Sequence, residues 1–151
     1  MALGARFSDG NGGTDIQTIT VTVTDANDDP VITSDGGAAT AGVNAAENQT
    51  AVTTVTATDV DTDTPTFTIT GGADQAKFSV NLNSGVLAFV AAPDFEVPTD
   101  VGANNTYVVE VTASDGNGGT DIQTITVTVT DANDNPVITS NGGGETAGVN
   151  A

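Results

Sequence analysis

The sequence predicts an all-β fold, a seven-stranded antiparallel β-sandwich with Greek-key connections. Three observations carry that prediction. β-Branched residues alternate with small polar ones in short runs such as TITVTVT (residues 18–24), a period of two that suits half-buried strands. Clusters of Gly, Asn and Asp punctuate those runs at regular spacing, and apolar residues nowhere recur at a helical interval. Hydrophobic residues make up 37% of the chain and aromatics 4%, so the core is thin and aliphatic, built from residues that favour strands.

Self-similarity sets the boundaries. Residues 8–45 match residues 114–151 at a constant offset of 106, and of those 38 positions only Asp29/Asn135, Asp35/Asn141, Ala38/Gly144 and Ala39/Glu145 differ. Near-identity of this kind marks a window on a tandem array. Residues 1–29 read as the C-terminal strand of a preceding repeat plus a linker. Residues 30–136 read as one complete repeat, and residues 137–151 as the start of the following one.

Met1–Phe7 lacks the apolar stretch of a signal peptide and reads as an added remnant, with any export signal expected outside these residues. Residues 14–24 alternate Ile19, Val21 and Val23 with threonines and form a strand that, lacking partners, should be loosely ordered. Pro30 and Val31–Ile32 open the complete repeat, and residues 34–45 read as a loop. Val52, Val55 and Ala57 make a strand ending in TDVDTDT. PTFTIT (65–70) sets Phe67 and Ile69 on one face, and KFSVN sets Phe78 and Val80 inward before a turn at NLNSG. GVLAFV places Leu87 and Phe89 together, ahead of the acidic PDFE. TYVVEVTASD turns Tyr107, Val109, Val111 and Ala113 inward, GNGG (116–119) supplies a hairpin turn, and residues 120–130 form the last strand. The expected core is Phe67, Phe78, Leu87, Tyr107, Val109, Val111, Ile125, Val127 and Val129.

Charge excludes several functions. Twenty acids face only Arg6 and Lys77, for a net charge of -18. No basic footprint exists to neutralise phosphates, so nucleic acid is not a partner. Cysteine is absent, which removes disulfides and thiolate metal sites. No run approaches the ~20 apolar residues of a membrane helix, so no membrane insertion is expected. Histidine is absent too, and with it any His-based nucleophile or base. The chain reads as no enzyme. Asp94 and Glu96 could be imagined as a glycosidase pair, but carboxylates at i, i+2 beside an Asp/Asn-rich segment suit metal ligation better.

Eleven of the twenty acids fall in short motifs: Asp25, Asp28, Asp29, Glu47, Asp59, Asp61, Asp94, Glu96, Asp115, Asp131 and Asp134. Calcium takes six to eight hard oxygen ligands from carboxylates, amides and backbone carbonyls. DANDDP (25–30) and DANDNP (131–136) each offer four such side chains within five residues, closed by proline. The i, i+2 spacing places Asp59 with Asp61, and Asp94 with Glu96, on one side of an extended chain. A generic acidic surface is the competing reading, and the clustering favours Ca2+.

The order of these motifs resembles the cadherin repeat across nearly all of residues 30–136. A Glu near the start (Glu47), a DxD (Asp59, Asp61), a DxE (Asp94, Glu96), an xxD (Asp115) and a closing DxNDN-type segment (Asp131, Asn133, Asp134, Asn135) follow one another, with YVVEVTASD in the place of the family's Tyr-containing strand. Phe95 stands where the family has Arg, and Asp29 stands for the last Asn in the first copy. The resemblance implies a cadherin/immunoglobulin-like sandwich with Ca2+ held between successive domains. One junction would use Asp25, Asn27, Asp28 and Asp29 with Asp59, Asp61 and Asp115. The other would use Glu47, Asp94, Glu96, Asp131, Asn133, Asp134 and Asn135.

No Trp is present, so adhesion by Trp docking is not supported. Near-identical Thr/Gly/Asp-rich repeats look like the cadherin-like repeats of large bacterial surface adhesins. The expected function is therefore a calcium-binding extender at the cell surface, outside the cell, whose partners are neighbouring repeats of the same chain. A module binding homophilically, or binding other cell-surface molecules or glycans, is the alternative, and the scarcity of spare aromatics weighs against it.

Overall fold

The computed structural model describes residues 2–140. Two pieces are seen: an N-terminal hairpin and one sandwich. The hairpin pairs β1 (Ala2–Ser8) with β2 (Thr14–Thr20). In the sandwich β3 is Val31–Ile32, β4 Thr40–Ala46, β5 Ala51–Thr54, β6 Ala57–Thr58, β7 Thr66–Gly71, β8 Phe78–Val80, β9 Val86–Phe89, β10 Thr106–Ser114 and β11 Thr120–Thr130. A 3-10 turn at Ser34–Gly36 separates β3 from β4, and two residues separate β5 from β6. Counting β3/β4 and β5/β6 as single interrupted strands, the nine segments are the expected seven strands.

One sheet has the order β4-β11-β10-β7; β5-β9-β8 and the short pair β3-β6 lie opposite. The two layers meet at an aromatic cluster. Phe78 and Phe89 stack at 4.7 Å, and each turns an edge contact on Tyr107 of β10, at 6.3 and 5.2 Å, the offset and T-shaped arrangements that ring quadrupoles favour. All nine expected core residues are buried, joined by Ile32, Ala45, Val55, Phe89 and Ala113. The turn between β10 and β11 uses positive φ at Gly116 and Gly118, where side chains other than glycine are strained.

Two expectations are corrected. The segment read as a loop, residues 34–45, contains β4, which lies parallel to β11 from Thr40↔Thr124 to Ala46↔Thr130. Its inward side is Ala41, Val43 and Ala45, too small for a clear period-two signal. The single parallel pair arises because the chain leaves β3 on one layer and continues in the same direction on the other. Residues 2–8 form β1 and supply a partner that β2 was expected to lack. β2 ends at Thr20, and every residue in it is exposed, so the hairpin is paired yet buries no apolar face.

Buried polar groups hold the long connection between β9 and β10. Asp74, 4% exposed, accepts hydrogen bonds from the Val101 (2.7 Å) and Val108 (2.9 Å) amides. Asp100 accepts from the Asn104 and Asn105 amides, and the Asn105 amide group donates to the Phe95 carbonyl at 2.9 Å. This network fixes the loop bearing Asp94 and Glu96 at the end of the sandwich.

Candidate metal centres at the two poles

At the N-terminal pole the linker folds back onto the sandwich. The Asn27 amide donates to Asp115 Oδ2 at 2.7 Å, and the Asp28 backbone N–H donates to Asp61 Oδ2 at 2.6 Å. Asp61 N–H in turn donates to Asp59 Oδ1 at 2.8 Å, the turn that the i, i+2 spacing makes possible. Asp29 lies against the buried Gly119, which follows Asp115 in the hairpin turn. Pro30 is buried and closes the linker. Asp25 stays exposed, its carboxylate accepting the Ala26 N–H at 3.2 Å. The structure therefore brings Asn27, Asp28 and Asp29 to Asp59, Asp61 and Asp115, and leaves Asp25 at the margin.

Asp115 is held below the usual carboxylate range, first by the Asn27 amide and then by the backbone N–H groups of Asn117, Gly119 and Gly118, which outweigh desolvation. It stays ionised. Asp59 Oδ2 is buried with no hydrogen-bond partner. A buried carboxylate oxygen without a partner costs free energy, and a cation would satisfy it.

At the opposite pole the carboxylates of Glu47, Asp94 and Glu96 each offer an oxygen within 4.8 Å of the others. Glu47, on the turn after β4, is 3% exposed. Its Oε2 accepts the Phe95 N–H and its Oε1 the Ala132 N–H, both at 2.8 Å. One side chain thus ties the PDFE loop to the DANDNP segment. Those two backbone donors, Ala132 foremost, hold Glu47 below its ordinary pKa against desolvation, with hydrogen bonding to Asp131 and Glu96 adding to the effect. For Glu96 its own backbone N–H lowers the pKa, but desolvation and the charges of Glu47, Asp131 and Asp134 together win, and the net shift is upward. Three carboxylates crowd Glu96, and no cationic side chain answers them. The Asn48 amide donates to Asp134 Oδ1 at 3.0 Å. Asn133 turns its amide toward the Asp134 carbonyl at 3.3 Å, and Asn135 is exposed. The last eleven residues of the expected following repeat, 141–151, lie outside the described residues.

Both donor sets consist of oxygens, as hard cations prefer. Oxygens within 4.8 Å of one another also fit inside the ~5 Å diameter of a calcium ligand shell, set by Ca–O distances of ~2.3–2.6 Å. The Glu47, Asp94 and Glu96 oxygens fit the ion, whereas at the N-terminal pole the support is the unpartnered Asp59 Oδ2. Sequence reasoning missed Asn48, which follows Glu47 and anchors Asp134. It also missed Asp63, which accepts the Asn117 amide at 2.7 Å and extends the DVD motif by one more i+2 step. Gly119 was assigned only to a turn, whereas its lack of a side chain is what lets Asp29 seat.

A family profile described as bacterial Ig domain matches residues 27–128. Among solved structures, the protocadherin GammaB4 extracellular domain is similar at 30% identity and a TM-score of 0.61, covering 88% of this chain and 20% of that one. Protocadherin Gamma B7 extracellular cadherin domains 1–4 are similar at 25% identity and a TM-score of 0.64, over 88% of this chain and 32% of theirs. Drosophila N-cadherin EC1–4, at 23% identity and a TM-score of 0.58 over 74% of this chain and 27% of that one, shares the fold. The chain thus spans between a fifth and a third of the length of these structures. No curated protein matches it significantly.

Proposed function

The chain belongs to the bacterial Ig domain family, and on that premise we propose that its cadherin-like sandwich is a calcium-binding extender repeat of a large bacterial surface adhesin. The role is mechanical and non-enzymatic: it sets the angle and stiffness between successive repeats outside the cell. The observation that carries this reading is the linker, whose Asn27 and Asp28 bond directly to Asp115 and Asp61 of the sandwich. The acids that would hold an ion are thereby shared between the linker and the domain that follows it. A flexible hinge becomes one surface.

Asn27, Asp28, Asp29, Asp59, Asp61 and Asp115 would hold Ca2+ at one pole. Glu47, Asp94, Glu96, Asp131 and Asp134 would hold it at the other. When bound, the ion supplies positive charge that cancels carboxylate repulsion. The chain's own residues do the rest. Glu47 clamps two backbone segments, Asp74 and Asp100 fix the loop between, and Pro30 limits the linker's conformations. Without cation, like charges at each pole drive the segments apart. Extracellular calcium modules bind at ~10⁻⁴–10⁻³ M, so the array would be stiff outside the cell and loose where calcium is scarce.

Thermal unfolding in EDTA, in millimolar Ca2+ and in millimolar Mg2+ tests the proposal. Binding stabilises by about 2.7 kcal/mol at a hundredfold excess over Kd, so a rise in Tm specific to Ca2+ is expected. An unchanged midpoint would reduce the acidic motifs to solvated turns and end the extender mechanism.

A further inference from the structure

At the tip of the β10/β11 hairpin an exposed side-chain amide stands next to a backbone nitrogen that can displace it. Asn–Gly occurs three times in the sequence, at 11–12, 117–118 and 141–142, the last outside the described residues. Asn117 and Gly118 are both exposed. Gly118 holds φ at 114°, and nothing lies within 4 Å of where a side chain on it would begin. With no side chain of its own and open space around it, Gly118 presents an unhindered nitrogen. The turn does not depend on the Asn117 side chain. Asp115 closes it, its Oδ1 accepting the Asn117 and Gly119 N–H groups at 2.8 and 3.0 Å. The Asn117 side-chain amide reaches elsewhere, donating to Asp63 Oδ2 at 2.7 Å. That bond is a latch between the hairpin and the segment that carries Asp59 and Asp61.

We infer that Asn117 is a site of spontaneous deamidation, and that Asp63 sets its rate by holding the amide. The Gly118 nitrogen bonds to Asn117 Cγ, the Cγ–Nδ2 bond breaks, and the proton of the attacking nitrogen leaves with the amide as ammonia. Water then opens the cyclic imide at either carbonyl. One opening leaves aspartate; the other reroutes the main chain through the side chain and leaves isoaspartate. The only co-reactant is water, which reaches an exposed turn freely. Closing the ring swings Cγ toward Gly118, so the 2.7 Å bond to Asp63 has to be given up first. The product reverses the contact. A carboxylate then faces Asp63 where an amide had donated to it, and like charges repel. Isoaspartate also inserts a methylene into a turn whose geometry rests on positive φ at Gly116 and Gly118. Either product opens the latch, and adds one negative charge to a chain already at -18. The N-terminal pole therefore loosens as the molecule ages.

The full chain, aged in warm, mildly alkaline buffer with EDTA and mapped by peptide mass spectrometry, is expected to convert Asn117 from amide to acid. Asn11, in the same SDGNGGTD segment, serves as the clock. Asp63→Ala should speed conversion at Asn117 by roughly three- to tenfold, the worth of a partly exposed hydrogen bond to a charged group, and leave Asn11 unchanged. Asp63→Asn keeps an acceptor and should fall between. Tyr107 is the single tyrosine in a chain without tryptophan, and it is buried in the core, so its near-ultraviolet circular dichroism reports whether each variant is folded. The product is tested separately. Asn117→Asp should lower the urea midpoint in EDTA, and adding Asp63→Asn, which returns a donor opposite the new carboxylate, should restore much of the loss. An Asn117 that keeps its amide while Asn11 converts would overturn the inference. So would a rate that Asp63→Ala leaves unchanged, a faster rate accompanied by loss of the Tyr107 signal, or a double variant no more stable than Asn117→Asp. Working in EDTA keeps the outcome separate from that of the calcium reading.

Discussion

Replacing Gly119 by alanine probes the N-terminal junction without removing a charged group. A methyl there would meet Asp115 Oδ2, and would lie 2.8 Å from Asp29 Oδ1 and 3.0 Å from Asp29 Cα. Carbon–carbon contacts settle near 3.5–4.0 Å, so the linker backbone has to retreat by roughly 0.5–1 Å. A backbone cannot swing aside as a side-chain tip can. Gly119 does not need the left-handed region that Gly116 and Gly118 use, so alanine adds no φ strain and the cost is steric. Overpacking of this size costs about 1–3 kcal/mol. The same retreat loosens the 2.7 Å Asn27–Asp115 and 2.6 Å Asp28–Asp61 bonds, so calcium affinity should fall as well.

The repeat supplies its own control. Gly13 sits in the same SDGNGGTD segment, but a methyl there meets only the Asp9 side chain, which can rotate away. Gly13→Ala makes the same change in unfolded-chain entropy and should shift stability by no more than about 0.5 kcal/mol. Urea titration of both full-length variants, compared by midpoint at constant slope, reads the difference. Equal midpoints would mean that the linker does not seat against Gly119, and the shared-junction argument would fall with it.

Asp74→Ala leaves the Val101 and Val108 amides without their acceptor; at about 1–3 kcal/mol per orphaned buried donor, a urea-measured loss of several kcal/mol is expected, and a loss below about 1 kcal/mol would show the loop is held by other means. Glu96→Gln removes a carboxylate crowded by Glu47, Asp131 and Asp134, so the Tm in EDTA at pH 7 should rise while calcium affinity drops; a fall in both would contradict the repulsion argument. Glu47 and Asp115 have depressed pKa values in the folded state, so their stabilisation is full above the ordinary carboxylate pKa of about 4 and is lost as pH falls through the depressed values. Glu96 acts with the opposite sign: its destabilisation is full above its raised pKa and gone below the ordinary one. Metal-free melting followed from pH 7 to pH 2 should therefore rise slightly before it falls, and a steady decline from neutrality would exclude that balance.

What could be read in advance follows from how locally each feature is determined. Tyr107, Val109, Val111 and Ala113 alternate with enough volume contrast that their inward face is evident, and all four are buried. β4 was not legible, because Ala41, Gly42, Val43 and Ala45 offer little contrast and the strand exists through its distant neighbour β11. The eleven residues TDIQTITVTVT make the point within one molecule. They form a strand of eleven residues at 120–130 and of seven at 14–20. Local preference is identical in the two places, so the four additional residues come from tertiary flanks: β4 on one edge and the longer β10 on the other. The site divides in the same way. Paired carboxylates two residues apart announced Asp59 with Asp61 and Asp94 with Glu96, since that geometry is local. Asn48 reaches Asp134 across 86 residues and Asn117 reaches Asp63 across 54, so their parts depend on which strand ends the sandwich brings together. Motif spacing can therefore nominate the ligands of such a junction, while the groups that aim those ligands emerge only from the packing of the sheets.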